Sequence, residues 1–128
     1  MPTLKIVNPA NGRPVAALPA DDLRSVKAKC AAARAAQPCW AGLAMGKRVE
    51  TIARFRAALV AQAEELAAIL TTEVGKPIAQ SRNELKGVIA RLDFFIAEAA
   101  RTLRPRNVSG ADPGAVREVI GRAPLGVV

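Results

Sequence analysis

The sequence contains no histidine and no tyrosine. Without an imidazole, Ser-His-Asp triads, Cys-His nucleophile pairs and His-ligated zinc are all excluded, and without a phenol so is tyrosine chemistry. Aromatic residues are scarce, at three Phe and one Trp in 128 residues, which leaves nothing to interleave with basic residues for base stacking. The two cysteines, Cys30 and Cys39, lack the CxxC spacing of a redox or zinc motif. Apolar runs fall well short of the roughly 18 residues needed to span a bilayer. No charged leader followed by an apolar run is visible at Met1, so the expectation is a cytoplasmic chain with no membrane contact.

Large apolar side chains are also fewer than the 51% hydrophobic content suggests, because 27 of the residues behind it are Ala. The 36 Val, Ile, Leu, Met, Phe and Trp residues suffice for one small helical domain. They do not suffice for the two domains that a nucleotide-dependent enzyme usually needs. Charge is unbalanced, with 19 Lys and Arg against 11 Asp and Glu, a net +8. Most basic residues (Arg54, Arg56, Arg82, Lys86, Arg91) share predicted helices with acidic ones, the composition of a solvated helix face. Only Arg101, Arg104 and Arg106 form a tight cluster.

Two short apolar runs, 4–7 and 15–18, flank Asn8-Pro9-Ala10-Asn11-Gly12-Arg13-Pro14 and read as strands joined by a turn with positive φ at Asn11-Gly12. Asp21 and Asp22 offer a cap for a first helix over 21–36, apolar at Leu23, Val26, Cys30 and Ala33 and ended by Pro38. Cys30 is thereby expected to be buried. Ile52, Phe55, Leu59, Ala63, Leu66 and Leu70 make one stripe on a second helix over 46–73. Gly75 suits the left-handed residue that closes it, and Pro77 opens a third, carrying Ile78, Leu85, Ile89, Leu92, Ile96, Ala99 and Leu103. The tight Gly-Lys-Pro link predicts antiparallel packing. After Leu103 the glycines and prolines read as a loop, followed by strand-like runs at 115–120 and 125–128, the second an edge in need of a partner. The fold class is mainly α with short β (α+β): three amphipathic helices, two N-terminal strands and a C-terminal strand pair, in one partial domain divided at about 1–20, 21–104 and 105–128.

Four segments carry a family resemblance: Val7-Asn8-Pro9-Ala10-Asn11-Gly12; Ala31-Ala32-Ala33-Arg34-Ala35-Ala36 with Pro38-Cys39-Trp40; Glu73-Val74-Gly75-Lys76-Pro77; and Arg117-Glu118 with Ala123-Pro124-Leu125-Gly126-Val127-Val128. In this order and at these spacings the chain resembles the N-terminal quarter of the aldehyde dehydrogenase superfamily. Gln37 departs from the aromatic residue usual there. The resemblance implies NAD- or NADP-dependent oxidation of an aldehyde to a carboxylic acid, and places this segment in an α/β nucleotide-binding subunit. In that family a cysteine thiolate attacks the aldehyde and a glutamate activates the hydrolytic water. The family's catalytic Cys, glutamate, oxyanion-site Asn and cofactor glycine loop lie beyond the Pro-Leu-Gly-Val-Val stretch. Cys30 and Cys39 do not match the catalytic motif, and Gly110, Gly114 and Gly121 form no G-x-G-x-x-G. The chain is therefore predicted to be inactive by itself and to bind neither cofactor.

The resemblance also implies roles for particular positions. The Val7 carbonyl and Glu73 correspond to ligands of a structural monovalent cation, for which oxygen donors suit; the plain alternative for Glu73 is a solvated residue in a last helical turn. Gly87 and Arg91, one turn apart, correspond to the wall of a substrate channel, with solvated surface as the alternative. Val116, Glu118, Ile120, Leu125 and Val127 correspond to the hairpin by which family members pair with a neighbouring subunit. Self-association or subunit pairing through these strands is the expected partnership. A second reading, from a different class, is a small basic helical module that binds nucleic acid or an acidic protein through Arg101, Arg104 and Arg106. A third is a chain that regulates a full-length aldehyde dehydrogenase by pairing its last strand.

Overall fold

The computed structural model describes residues 3–108 and 116–128. Strands β1 (Thr3–Val7) and β2 (Pro14–Pro19) form an antiparallel hairpin running from Thr3↔Pro19 to Val7↔Pro14, with a register shift between Ile6 and Val7. Asn8 and Asn11 shape its loop: the Asn8 side chain accepts from the Ala10 N–H at 2.9 Å and the Asn11 side chain from the Arg13 N–H at 3.0 Å. Within this loop only Gly12 is left-handed, at φ 70°. The loop is thus longer than a two-residue turn and closes on a left-handed glycine next to a bulge.

Helix α1 (Leu23–Gly42) starts on a capping box, in which Asp22 accepts from the Ser25 N–H at 2.7 Å and the Ser25 hydroxyl accepts from the Asp22 N–H at 2.9 Å. Pro38 does not end it. The helix continues through the proline, losing only the bond that the Arg34 carbonyl would have accepted. Trp40, just beyond the proline, lines a groove together with Met45, Val49, Phe95 and Leu103. Cys30 is exposed rather than buried, as is Cys39, because α1 packs its Ala-rich sides on little else.

The expected second helix is two helices, α2 (Met45–Ala61) and α3 (Ala63–Val74). The break is the single residue Gln62, at φ −108° and ψ 11°. Hydrogen bonds persist on both sides of it, from the Gln62 N–H to Ala58 at 3.1 Å and from the Leu66 N–H to Gln62 at 2.9 Å. A one-residue kink leaves the 3- and 4-residue spacing of apolar positions intact, so periodicity does not reveal it.

Gly75 closes α3 in the left-handed conformation at φ 78°, and Pro77 caps α4 (Ile78–Thr102) as the residue before its first turn. α4 packs against both α2 and α3. The cross-links run in opposite chain directions: Thr71 to Ser81, Glu64 to Arg82 and Arg56 to Asp93. The packing is therefore antiparallel. Several charges that sequence assigns to solvated faces are instead interhelical pairs, with Arg56 Nε 2.8 Å from Asp93 and Arg82 Nη2 2.8 Å from Glu64.

The core is thin, as the residue count requires. Among the described residues only Ala67 and Ser81 are fully buried. The α2–α3 stripe is half-buried, not buried: Ile52, Leu59, Leu66 and Leu70 are partly covered, while Phe55 is 54% exposed.

At the C-terminal end, β3 (Arg106–Asn107) pairs antiparallel with β4 (Val119–Ile120), and the Val108 N–H donates to the Glu118 carbonyl at 3.0 Å. A strand pair is present, but its members differ from those expected. Of the 115–120 run, Val119 and Ile120 pair back onto residues assigned to a loop, and 125–128 forms no strand. Gly126 at φ 96° interrupts extension there. Part of the expected loop, 109–114, and the first residue of the expected strand, Ala115, lie outside the described residues.

Candidate functional site

The N-terminal hairpin loop reaches the end of α3. A Cβ placed on Gly75 would lie 2.5 Å from Pro9 Cγ, so the Val7-Asn8-Pro9 and Glu73-Val74-Gly75 segments meet although 66 positions separate Pro9 from Gly75. Val7 and Glu73 each lie two residues from this contact, and both are exposed. Among the described residues no group of three or more Cys, Asp or Glu side chains gathers into a metal site. Any cation here would rest on main-chain oxygen and one carboxylate.

Gly87 and Arg91 share a groove of about 410 Å³ on α4 with Glu84, Val88, Leu92 and Phe95. They also line the neighbouring depression with Ala90 and Phe94. The ring of Phe94 meets that of Phe95 edge to face at 5.4 Å, which leaves both rings more than half exposed. A second groove, of about 200 Å³, opens between α2 and α4 below the end of α1 and holds Trp40, Arg48, Ile52 and Ile96. Arg48 Nε is buried there with no hydrogen-bond partner among the described residues. The sequence gives no sign of this orphan, since Arg48 sits at an ordinary helical position.

Of the pairing residues, Ile120 belongs to β4 and Glu118 supplies a carbonyl to Val108. Val116, Leu125 and Val127 make no ladder contact, and Val116 and Leu125 are 81% and 94% exposed. Four arginines converge elsewhere: Arg101, Arg104, Arg106 and Arg122 wall one pocket. Arg122 was not separable from other scattered basic residues by sequence, because only the β3–β4 pairing brings it to the other three.

The described residues do not fit a dinucleotide. Both sheets are two-stranded antiparallel ladders, and neither offers the strand, glycine loop and helix on which a pyrophosphate is held. No described helix is long and apolar enough to cross a membrane.

The aldehyde dehydrogenase family model matches residues 2–128. The chain belongs to that family. It is 36% identical to 3,6-anhydro-alpha-L-galactose dehydrogenase of Streptomyces coelicolor, over 98% of this chain and 25% of that protein. A relative in Mycobacterium ulcerans, named for succinate semialdehyde and NADP(+), is 32% identical over 99% of this chain and 24% of its own length. The crystal structure of an aldehyde dehydrogenase from Brucella melitensis biovar abortus superposes with a TM-score of 0.81 at 26% identity, covering 88% of this chain and 23% of that one. The chain spans about a quarter of the length of the relatives it matches.

Proposed function

We propose that this chain provides the N-terminal helical segment of an aldehyde dehydrogenase that oxidises an aldehyde to a carboxylic acid with NAD or NADP, and that the segment alone is inactive. The observation that carries this reading is the match in sequence and in fold over nearly the whole chain, at only a quarter of the relatives' length. When bound, the dinucleotide of such an enzyme accepts hydride from the substrate. These 128 residues contribute framework to that reaction. Cys30 and Cys39 are exposed on α1, and the 128 residues hold no histidine to act as a general base beside either.

Within this reading the Val7 carbonyl and Glu73 help hold a monovalent cation, and the Pro9–Gly75 contact brackets that place. Gly87 and Arg91 line the approach of the substrate, which their shared groove supports. Val116, Glu118, Ile120, Leu125 and Val127 pair with a second subunit, supported by the exposure of Leu125 and Val116. The apolar residues left wet and the orphaned Arg48 Nε fit a surface that packs on the remainder of such an enzyme, since exposed patches and unpaired buried donors both destabilise a free chain. Free thiols at both cysteines accord with a cytoplasmic setting.

The test is light scattering of the purified chain with an NAD titration and an aldehyde oxidation assay. A self-associated chain that neither binds NAD nor reduces it is the expected result. NAD binding by a monomer would overturn the assignment of the cofactor site to residues outside this segment.

A further inference from the structure

Among the described residues six of the 19 basic residues make ion pairs with acids. Lys29 meets Asp21, Lys47 meets Glu50, Arg56 meets Asp93, Lys76 meets Glu84 and Arg82 meets Glu64. The pocket at the C-terminal end of α4 gathers four arginines in one place. It has a volume of about 390 Å³ and is lined by Arg101, Thr102, Arg104, Pro105, Arg106 and Arg122. Arg101 is paired with Glu98. Among the described residues three of the four guanidinium groups, those of Arg104, Arg106 and Arg122, make no ion pair.

The convergence is a product of the fold. Arg101 lies in the last turn of α4, where its charge suits the negative end of the helix dipole. That accounts for one arginine. Arg106 is in β3, opposite Ile120 in β4, and this pairing carries Arg122, two residues further on, to the same pocket. Bringing like charges together costs free energy that a bound polyanion would return.

We propose that this pocket is a binding site for a small polyphosphate that carries no base. The guanidinium fork matches phosphate oxygens two at a time, and several phosphoryl groups together supply enough acceptors and negative charge for three unpaired forks. The lining contains no aromatic side chain, so a base has nothing to stack on, which favours a phosphate ligand over a nucleic-acid strand.

The test is calorimetric titration of the full 128-residue chain with tripolyphosphate at low salt. The comparison variants are Arg104→Gln/Arg122→Gln and, removing the same charge from α1, Arg24→Gln/Arg34→Gln. One site per chain is expected, with affinity about 10-fold or more weaker in the pocket variant and nearly unchanged in the α1 variant. Should the pocket variant lose its helical circular dichroism, Arg104→Lys/Arg122→Lys keeps the charge and removes the forks, and a several-fold loss is expected. Equal weakening in the pocket and α1 variants would overturn the proposal, as would several tripolyphosphates per chain. So would succinate binding as tightly, or binding confined to a single-stranded oligonucleotide.

Discussion

Pro9 and Gly75 form the contact that fastens the N-terminal hairpin to the helical hairpin, with the proline ring filling the space a Gly75 side chain would take. Two independent constraints fall on this glycine: a left-handed φ of 78° and a clash at 2.5 Å. Gly75→Ala should therefore destabilise the chain by about 2–4 kcal/mol, combining the left-handed penalty with overpacking. Urea denaturation measures it. A loss below about 0.5 kcal/mol would mean that the hairpin loop is not seated on α3.

Gly87 is the opposite case. It lies inside α4 with nothing within 4 Å of a built Cβ, so Gly87→Ala removes only the entropic cost of a mid-helix glycine. The expected change is a gain of about 0.5–1 kcal/mol in the same denaturation assay. If Gly87 also faces substrate in an intact enzyme, the equivalent change there should raise KM while leaving stability improved.

The two glycines illustrate what was legible in the sequence. Gly75 was readable as a helix terminator because the apolar period stops before it and Pro77 follows. Its partner was not, because Pro9 is distant in sequence and the contact exists only after the hairpin folds back. The stop at Pro38 failed because a proline removes one donor and the helix can continue through that single lost bond. The strand at 119–120 was visible as alternation, whereas its partner at Arg106–Asn107 is two residues long and carries no periodic signal. The candidate positions Val7, Glu73, Gly87 and Arg91 came from motif resemblance alone. The orphaned Arg48 and the addition of Arg122 to its cluster depend on tertiary placement.

The interhelical ion pairs set a pH dependence. Asp93 is held below the usual carboxylate range by hydrogen bonds from Arg56, and Glu64 by hydrogen bonds from Arg82. Because the folded-state values are the lower ones, these groups favour the folded state above the unfolded values near 3.8 and 4.5, and that contribution is lost as pH falls through the folded values. Thermal unfolding between pH 6 and pH 2 should show stability falling over the acidic part of this range. Arg56→Gln should reduce the slope, since Asp93 then titrates alike in both states. An unchanged slope would place the acid sensitivity in other carboxylates, among them Asp21 and Asp22, which are also lowered.

Ser81 is fully buried, and its hydroxyl lies 2.8 Å from that of Thr71, so each side chain satisfies the other between α3 and α4. Ser81→Ala leaves the Thr71 hydroxyl without its partner and should cost about 1–3 kcal/mol. Thr71→Val alone should cost a similar amount by stranding the serine. The double variant removes both polar groups while keeping nearly the same volume, so its stability should lie closer to the parent than the sum of the two single losses. A double-mutant cycle on the urea midpoints reads this coupling directly. Strict additivity would show that the two hydroxyls act independently and that the helical hairpin is held by its apolar contacts and by the Arg56 and Arg82 pairs alone.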